Sequence, residues 1–248
     1  MLTAIKYEEL PKIKHFFGNI RFFMGNSVLD GMIGDAFVDN ATNPKIAFLI
    51  VRSYCFIAGE IEDEKLKKII DANYKKYTII PSDTIKLQLE KIYPNELIKK
   101  ERYSIKKEPV FDKEALNIFI NKLPKVYELV KIDSTLAERI KREKWINITD
   151  NYKEYGIGIC CVYQDEIVGV ASSNIFYRDG IEVNIKVHEN YRKQGIATAM
   201  ASKLILECLE NNKKISWDAA NKNSLELAKK LGFVYDSTYY VYTFCEIR

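Results

Sequence analysis

Residues 187–200 read VHENYRKQGIATAM. An arginine, a lysine, a glycine and small residues fall where the apolar alternation of EVNIKV (182–187) gives way to a helical pattern. The first N–H groups of a helix have no intrahelical partner, and the helix dipole makes that corner locally positive. Gly195 lets a ligand come close to the backbone, Ala197 is nearly as small, Thr198 adds a hydroxyl, and Arg192 and Lys193 add charge. These are the physical ingredients of a pyrophosphate cradle. The short pattern R-x-x-G-x-A also recurs by chance, and the same residues suit an ordinary strand-to-helix corner. A P-loop is excluded because no G-x-x-x-x-G-K-[ST] occurs, and the second and third glycines of a dinucleotide fingerprint are missing.

Working outward, residues 156–187 read as three strands. Turn signals at QDE (164–166) and YRDG (177–180) make them an antiparallel meander. After Gly195 the spacing predicts a helix. Ile196, Ala197, Met200, Ala201, Leu204, Ile205, Cys208 and Leu209 lie on its apolar face, with Thr198, Ser202, Lys203, Glu207 and Glu210 opposite. KISWDA (214–219) reads as a short strand and NKNSLELAKKLGF (221–233) as a second helix. Asn223 and Glu226 have the spacing of a capping box, and Gly232 followed by Phe233 marks a left-handed C-terminus. The tyrosine-rich stretch 234–247 closes the chain as one or two strands.

The N-terminal half reads as mixed α/β. AFVDN (36–40), PKIAFLIV (44–51) and RSYCFIAGEI (52–61) are strand-like, with the turn ATNP between the first two. Residues 63–76 have helical spacing, with Leu66, Ile69, Ile70 and Tyr74 on one face. TIKLQLEKIY (84–93) fits a strand or a helix and ends before Pro94. The polar, basic segment 99–116 is the expected boundary region, dividing the chain into domains 1–125 and 126–248. A helix follows near residues 133–145, with Asp133 or Ser134 as its cap. No repeat of fixed period is visible.

Bulk composition narrows the function classes. Apolar residues make up 47% and charged residues 29%, which predicts a packed soluble core. A net charge of +4, spread as lysines among glutamates, points to no nucleic-acid partner; KKERYSIKKE (99–108) has too few aromatics for one. Five cysteines without a C-x-x-C pair suggest neither a disulfide framework nor a metal site, and fit a reducing cytoplasm. Cys160 and Cys161 share a strand and read as structural, with one of them facing the core. The charged start is unlike a signal peptide, and no apolar run approaches the roughly 20 residues that span a bilayer.

The order of meander strands, R-x-x-G-x-A, amphipathic helix, short strand, helix ending in KLGF and last strands resembles the GNAT superfamily of GCN5-related N-acetyltransferases. Arg192, Gly195 and Ala197 match its phosphate signature Q/R-x-x-G-x-G/A. Asn221, Leu227, Lys230, Gly232 and Phe233 match N-x-x-A-x-x-L-Y-x-K-x-G-F. The likeness covers roughly the last hundred residues. SWDAANKNSLELAKKLGF (216–233) and VDNATNPKIAFLI (38–50) are similar to a two-part branch that includes zwittermicin A resistance acetyltransferases. The resemblance implies an α/β (α+β) chain. Its C-terminal GNAT fold would have a mixed, splayed central sheet flanked by helices, preceded by a smaller mixed α/β domain.

GNAT enzymes transfer an acetyl group from acetyl-CoA directly to an amine. The resemblance therefore implies acetyl-CoA as co-substrate, no metal, and a small-molecule amine acceptor. It also implies a monomer or homodimer without membrane attachment. Pantetheine would lie between the splayed strands 181–187 and 214–219, bonded to the backbone of Ile185 and Val187. Arg192, Lys193, Gln194, Gly195, Ile196, Ala197 and Thr198 would hold the pyrophosphate, with Asn221 and Ser224 beside the pantetheine arm. Glu182 is the expected base; the alternative is that it attracts a cationic substrate or pairs with Arg178. The family's tyrosine acid is replaced by Ala228, which leaves Tyr239, Tyr240, Ser224 or water to protonate the thiolate. His188 reads as a loop residue near the cofactor and Trp217 as core. Ala228 also keeps open a second reading, a module that binds acyl-CoA without turnover.

Overall fold

The computed structural model describes residues 2–18, 23–106, 109–146, 148 and 152–245. Lys107 and Glu108 of the basic segment, and Glu246 and Ile247 of the closing stretch, lie outside the described residues. The chain divides into two compact units, Met1–Arg102 with Thr238–Arg248, and Tyr103–Ser237.

The first unit runs β1 (Thr3–Ala4), two 3-10 turns (Tyr7–Lys12 and Lys14–Phe17), α1 (Phe23–Leu29), β2 (Asp35–Val38), β3 (Ile46–Val51), β4 (Tyr54–Gly59), α2 (Asp63–Asn73), β5 (Thr78–Pro81) and α3 (Asp83–Ile92). The loop at ATNP is set by two side-chain oxygens, one amide and one carboxylate. Asn40 Oδ1 accepts from the N–H groups of Thr42 and Asn43, and Asp39 Oδ1 from Lys45 and Ile46. The ambiguous stretch 84–93 is helical: Ser82 caps α3, Ile85 and Leu89 are buried four residues apart, and Leu87 is exposed. Strand alternation would have put all three on one face.

The basic segment begins inside a strand. Leu97–Ile105 forms β6, at the end of a seven-stranded sheet ordered β1-β2-β3-β4-β5-β12-β6, where β12 is Tyr235–Phe244. Lys99, Lys100 and Glu101 are exposed on it, the charge pattern that protects a sheet edge from further pairing. The chain divides at 102/103, inside the expected boundary region 99–116 and ahead of the expected domain limit at 125/126.

The second unit contains α4 (Lys113–Asn121), β7 (Glu128–Lys131), α5 (Ser134–Arg142), α6 (Tyr152–Tyr155), β8 (Gly158–Tyr163), β9 (Glu166–Tyr177), β10 (Gly180–Val187), α7 (Ile196–Glu210), β11 (Lys214–Ser216) and α8 (Lys222–Lys230). Asp133 caps α5 by accepting from Leu136 N–H at 2.8 Å. Gln164 and Asp165 turn the β8–β9 hairpin with positive φ. Three local expectations change here. First, α7 is buried at Thr198 and Ser202 on its supposed polar face too; α4 packs against this helix. Second, Cys160 and Cys161 are both fully buried, and burial pushes each thiol up to about 12. Third, α8 is capped by Asn221 rather than Asn223: its Oδ1 accepts from Ser224 N–H at 3.0 Å. At the other end Gly232 takes φ +103° and Phe233 N–H returns to Ala228 C=O at 3.1 Å, as the KLGF motif suggested.

The two units repeat one topology. In the first, β1-β2-β3-β4 are antiparallel neighbours, β5 joins β4 in parallel after α2, and α3 follows. In the second, β7-β8-β9-β10 are antiparallel neighbours, β11 joins β10 in parallel after α7, and α8 follows.

Candidate active site

The corner at 187–200 stands where two parallel strands part. β10 pairs with β11 through Gly180↔Lys214, Ile181↔Ile215 and Glu182↔Ser216, and there the pairing stops. A bulge in the β9–β10 ladder falls between Glu182 and Val183. β10 then runs on to Val187, paired with β9 alone among the described residues. Its other edge is open for about 16 Å at 3.3 Å per residue. His188 N–H donates to Val168 C=O of β9 at 2.9 Å. By the alternation of an antiparallel strand, Lys186 and Asn184 also bond toward β9, so the backbone groups of Ile185 and Val187 face the open edge.

The loop after β10 is held by its own side chains. His188 is exposed, and its Nδ1 accepts from Asn190 N–H to cap a 3-10 turn, Glu189–Tyr191. Arg192 Nε donates to Val187 C=O at 3.4 Å. Gln194 is tied at both ends of its amide: Oε1 accepts from the Tyr127 hydroxyl at 2.5 Å and Nε2 donates to Asn190 C=O at 3.4 Å. Lys193 and Gly195 take left-handed conformations, with φ of +62° and +86°.

Gly195 is the N-cap of α7, and the first turn contains no acidic residue and no side-chain cap. The N–H groups of Ile196, Ala197 and Thr198 are therefore left to an outside acceptor. A Cβ added at Gly195 would meet no atom within 4 Å, so the space above this turn is open. Among the described residues no carboxylate pairs with Arg192, Lys193 or Lys230. Lys230, on α8, brings its Nζ to 3.5 Å from Thr198 Oγ1 while lying over the Phe119 ring. Lys230 belongs to the family motif, and its contact with Thr198 gives it a place at this turn that the motif alone does not disclose. These groups fit an anionic ligand: donors, positive charge and room converge on one spot.

Glu182 sits at the apex of the parting strands and is 7% exposed. Its Oε1 accepts from Asp218 N–H at 2.6 Å, and its Oε2 accepts from the Ser216 hydroxyl. Burial, and then the Glu182 charge, push the neighbouring Tyr177 hydroxyl up. Trp217 is buried and donates from Nε1 to Ser224 Oγ at 3.0 Å, so Ser224 and Asn221 are both engaged at the start of α8. Ala228 is fully buried. Tyr239 and Tyr240 belong to the part of β12 counted with the first unit. The Tyr240 ring carries the ammonium groups of Lys99 at 4.3 Å and Lys86 at 5.8 Å.

Comparison with known proteins agrees with this geometry. A Bacillus subtilis (strain 168) protein named as an uncharacterized N-acetyltransferase, YdfB, is 29% identical over 234 residues, 87% of this chain and 88% of its own length. A GCN5-related N-acetyltransferase-like protein from Streptococcus suis 89/1591 has a TM-score of 0.86 at 29% identity, over 96% of this chain and 99% of that one. A tandem GNAT protein from the clavulanic acid biosynthesis pathway shares the fold at 8% identity, with a TM-score of 0.53 over 98% of this chain and 97% of its own. A family model for GNAT acetyltransferases matches residues 14–242, so the chain belongs to that family and is an acyltransferase.

Proposed function

We propose that this protein is an acetyl-CoA-dependent N-acetyltransferase that acts on an amine of a small molecule, with its cofactor site in residues 126–248. One observation carries the reading. The open five-residue edge of β10 leads directly into an acid-free helix N-terminus with room above Gly195. Ile185 and Val187 would bond the pantetheine amides through their backbone. Residues 192–198 and Lys230 would hold the phosphates, and Asn221 and Ser224 would flank the arm. When bound, acetyl-CoA supplies an activated acyl group. The amine nitrogen bonds to the acyl carbon as the C–S bond breaks. Glu182 takes the proton lost by the amine, and water returns one to the thiolate.

The two-part organisation supports placing the chain in the branch that includes zwittermicin A resistance acetyltransferases. We also assign it to the cytoplasm, as a monomer or homodimer that engages neither nucleic acid nor membrane. Among the described residues, no helix is long and apolar enough to cross a membrane.

The first unit carries the same strand order without the same corner. Pairing of β4 with β5 continues to Ile57↔Pro81, and Ser82 N–H still donates to Ile57 C=O. Glu60, Glu62, Asp63 and Glu64 stand where the second unit has its basic loop. Calorimetry with CoA should therefore give one site per chain, and acetyl-CoA with an amine panel should release free thiol. Absence of CoA binding, or two sites per chain, would overturn this reading. The buried Ala228 at the position of the family's acid favours the second reading, a binding module. CoA binding with no acceptor-dependent thiol release would establish it.

A further inference from the structure

The last pair before β10 and β11 part is Glu182↔Ser216, and it is also a side-chain pair. Glu182 is 7% and Ser216 6% exposed. A buried carboxylate without donors is strongly disfavoured, so whatever donates to it decides whether it is ionised. Two donors reach it from the β11 side. One is the Ser216 hydroxyl, and the other is the Asp218 N–H at 2.6 Å. The Ile181 carbonyl, 3.1 Å from Ser216 Oγ, is the hydroxyl's alternative acceptor.

We infer that Ser216 is a positioning residue for acetyl transfer: with the Asp218 N–H it keeps Glu182 ionised and fixed at the apex of the cleft. This rests on the reading of Glu182 as the base. The arrangement has a direct consequence. Both donors stabilise the charged form, so the carboxylate waits in its proton-accepting state. Ser216 ends β11, the strand of the opposite wall, and Asp218 follows two residues later, so the base is registered to both walls. Other titratable groups face the same spot: Tyr177 of β9, and, within range of Tyr177, Asp179 of the β9–β10 turn and Cys208 of α7. Asp218 itself follows β11.

The test is a carboxyl 13C NMR titration of the full chain, with the Glu182 signal assigned by its loss in E182Q, and CoA calorimetry run on the same samples. Removing a donor from the charged form raises its pKa, so S216A should move the Glu182 midpoint up by about one pH unit. S216T, which keeps the hydroxyl, should restore it. If S216A does not fold, S216C retains similar volume with a weaker donor and should show a smaller upward shift. A residue that merely packs would lower Tm and leave the midpoint where it was; an unmoved midpoint in the folded variants overturns the inference. Failure of wild type to bind CoA would instead overturn the cofactor reading, and the two failures are separately visible.

Discussion

Gly195 offers a direct test of where the phosphates go. In G195A the new residue must adopt φ near +86°, a left-handed conformation that costs an L-residue about 1 kcal/mol. The added methyl meets no protein atom within 4 Å, so no steric cost is added in the free protein. The expected stability loss is then about 1 kcal/mol, or a Tm lower by roughly 2–4 °C at this chain length. Ligand binding should suffer more. A phosphate oxygen bonded to a first-turn N–H sits at about 2.9 Å, and a methyl in the same space holds it off by several tenths of an ångström. Losing one charge-assisted bond there is worth about 1.5–3 kcal/mol, or roughly 10- to 100-fold in Kd for CoA by calorimetry. G232A supplies the control. Its φ is +103° and its Cβ would make an ordinary contact with Phe111, so it carries a similar strain away from the corner. It should lose comparable Tm and keep its CoA affinity. Equal CoA affinity in G195A and wild type would refute the placement of the phosphates over this turn.

Three further outcomes follow from particular contacts. K230Q removes an ammonium near Thr198 and should weaken CoA binding by about 2- to 5-fold, with a shallower dependence on salt than wild type; unchanged salt dependence would separate Lys230 from the phosphates. A228Y restores the family's residue at a fully buried position, and overpacking should cost about 1–3 kcal/mol by urea unfolding without adding an acid, so a variant with wild-type stability would show that the site has room. Asp71 feels burial that raises its pKa, but bonds from Lys67, Lys75 and Tyr93 outweigh it and hold the carboxyl at about 2. Because that pKa is depressed, its contribution is present above the ordinary value of 3.8 and is lost as pH falls toward 2. Wild-type Tm should therefore drop across that window more steeply than that of D71N.

What the sequence disclosed was local in origin. Gly232 announces a left-handed corner because few other residues adopt one, and Asp133 announces a helix start by its own hydrogen bond. The misread features depend on partners far along the chain. Leu97–Ile105 did not read as a strand because the exposed end of a sheet needs charge. Thr198 and Ser202 looked solvent-facing because nothing in 196–210 reveals that a second helix, α4, packs on α7. The cap of α8 slipped by two residues because Asn221 and Asn223 are chemically equivalent candidates. Glu182 was legible as a carboxylate on the right strand, while Ser216, its partner 34 residues away, was not.

The repeated strand order makes a sharper point about what creates a site. Both units place a parallel fifth strand beside the fourth, across a helix, so topology alone would give each a cleft. Three local differences separate them. The fourth strand of the first unit outlasts its pairing only by Ala58 and Gly59, whereas Val183–Val187 runs free beyond the bulge in the second. The helix of the first unit begins with Asp63 and Glu64, whose charges already answer the dipole and repel an anion. The helix of the second begins at an uncapped glycine preceded by Arg192 and Lys193, leaving its dipole for a ligand to answer. Open edge, bulge and charge thus act together. The same architecture stays closed in one unit and offers an extended, anionic cofactor a backbone partner and a phosphate seat in the other.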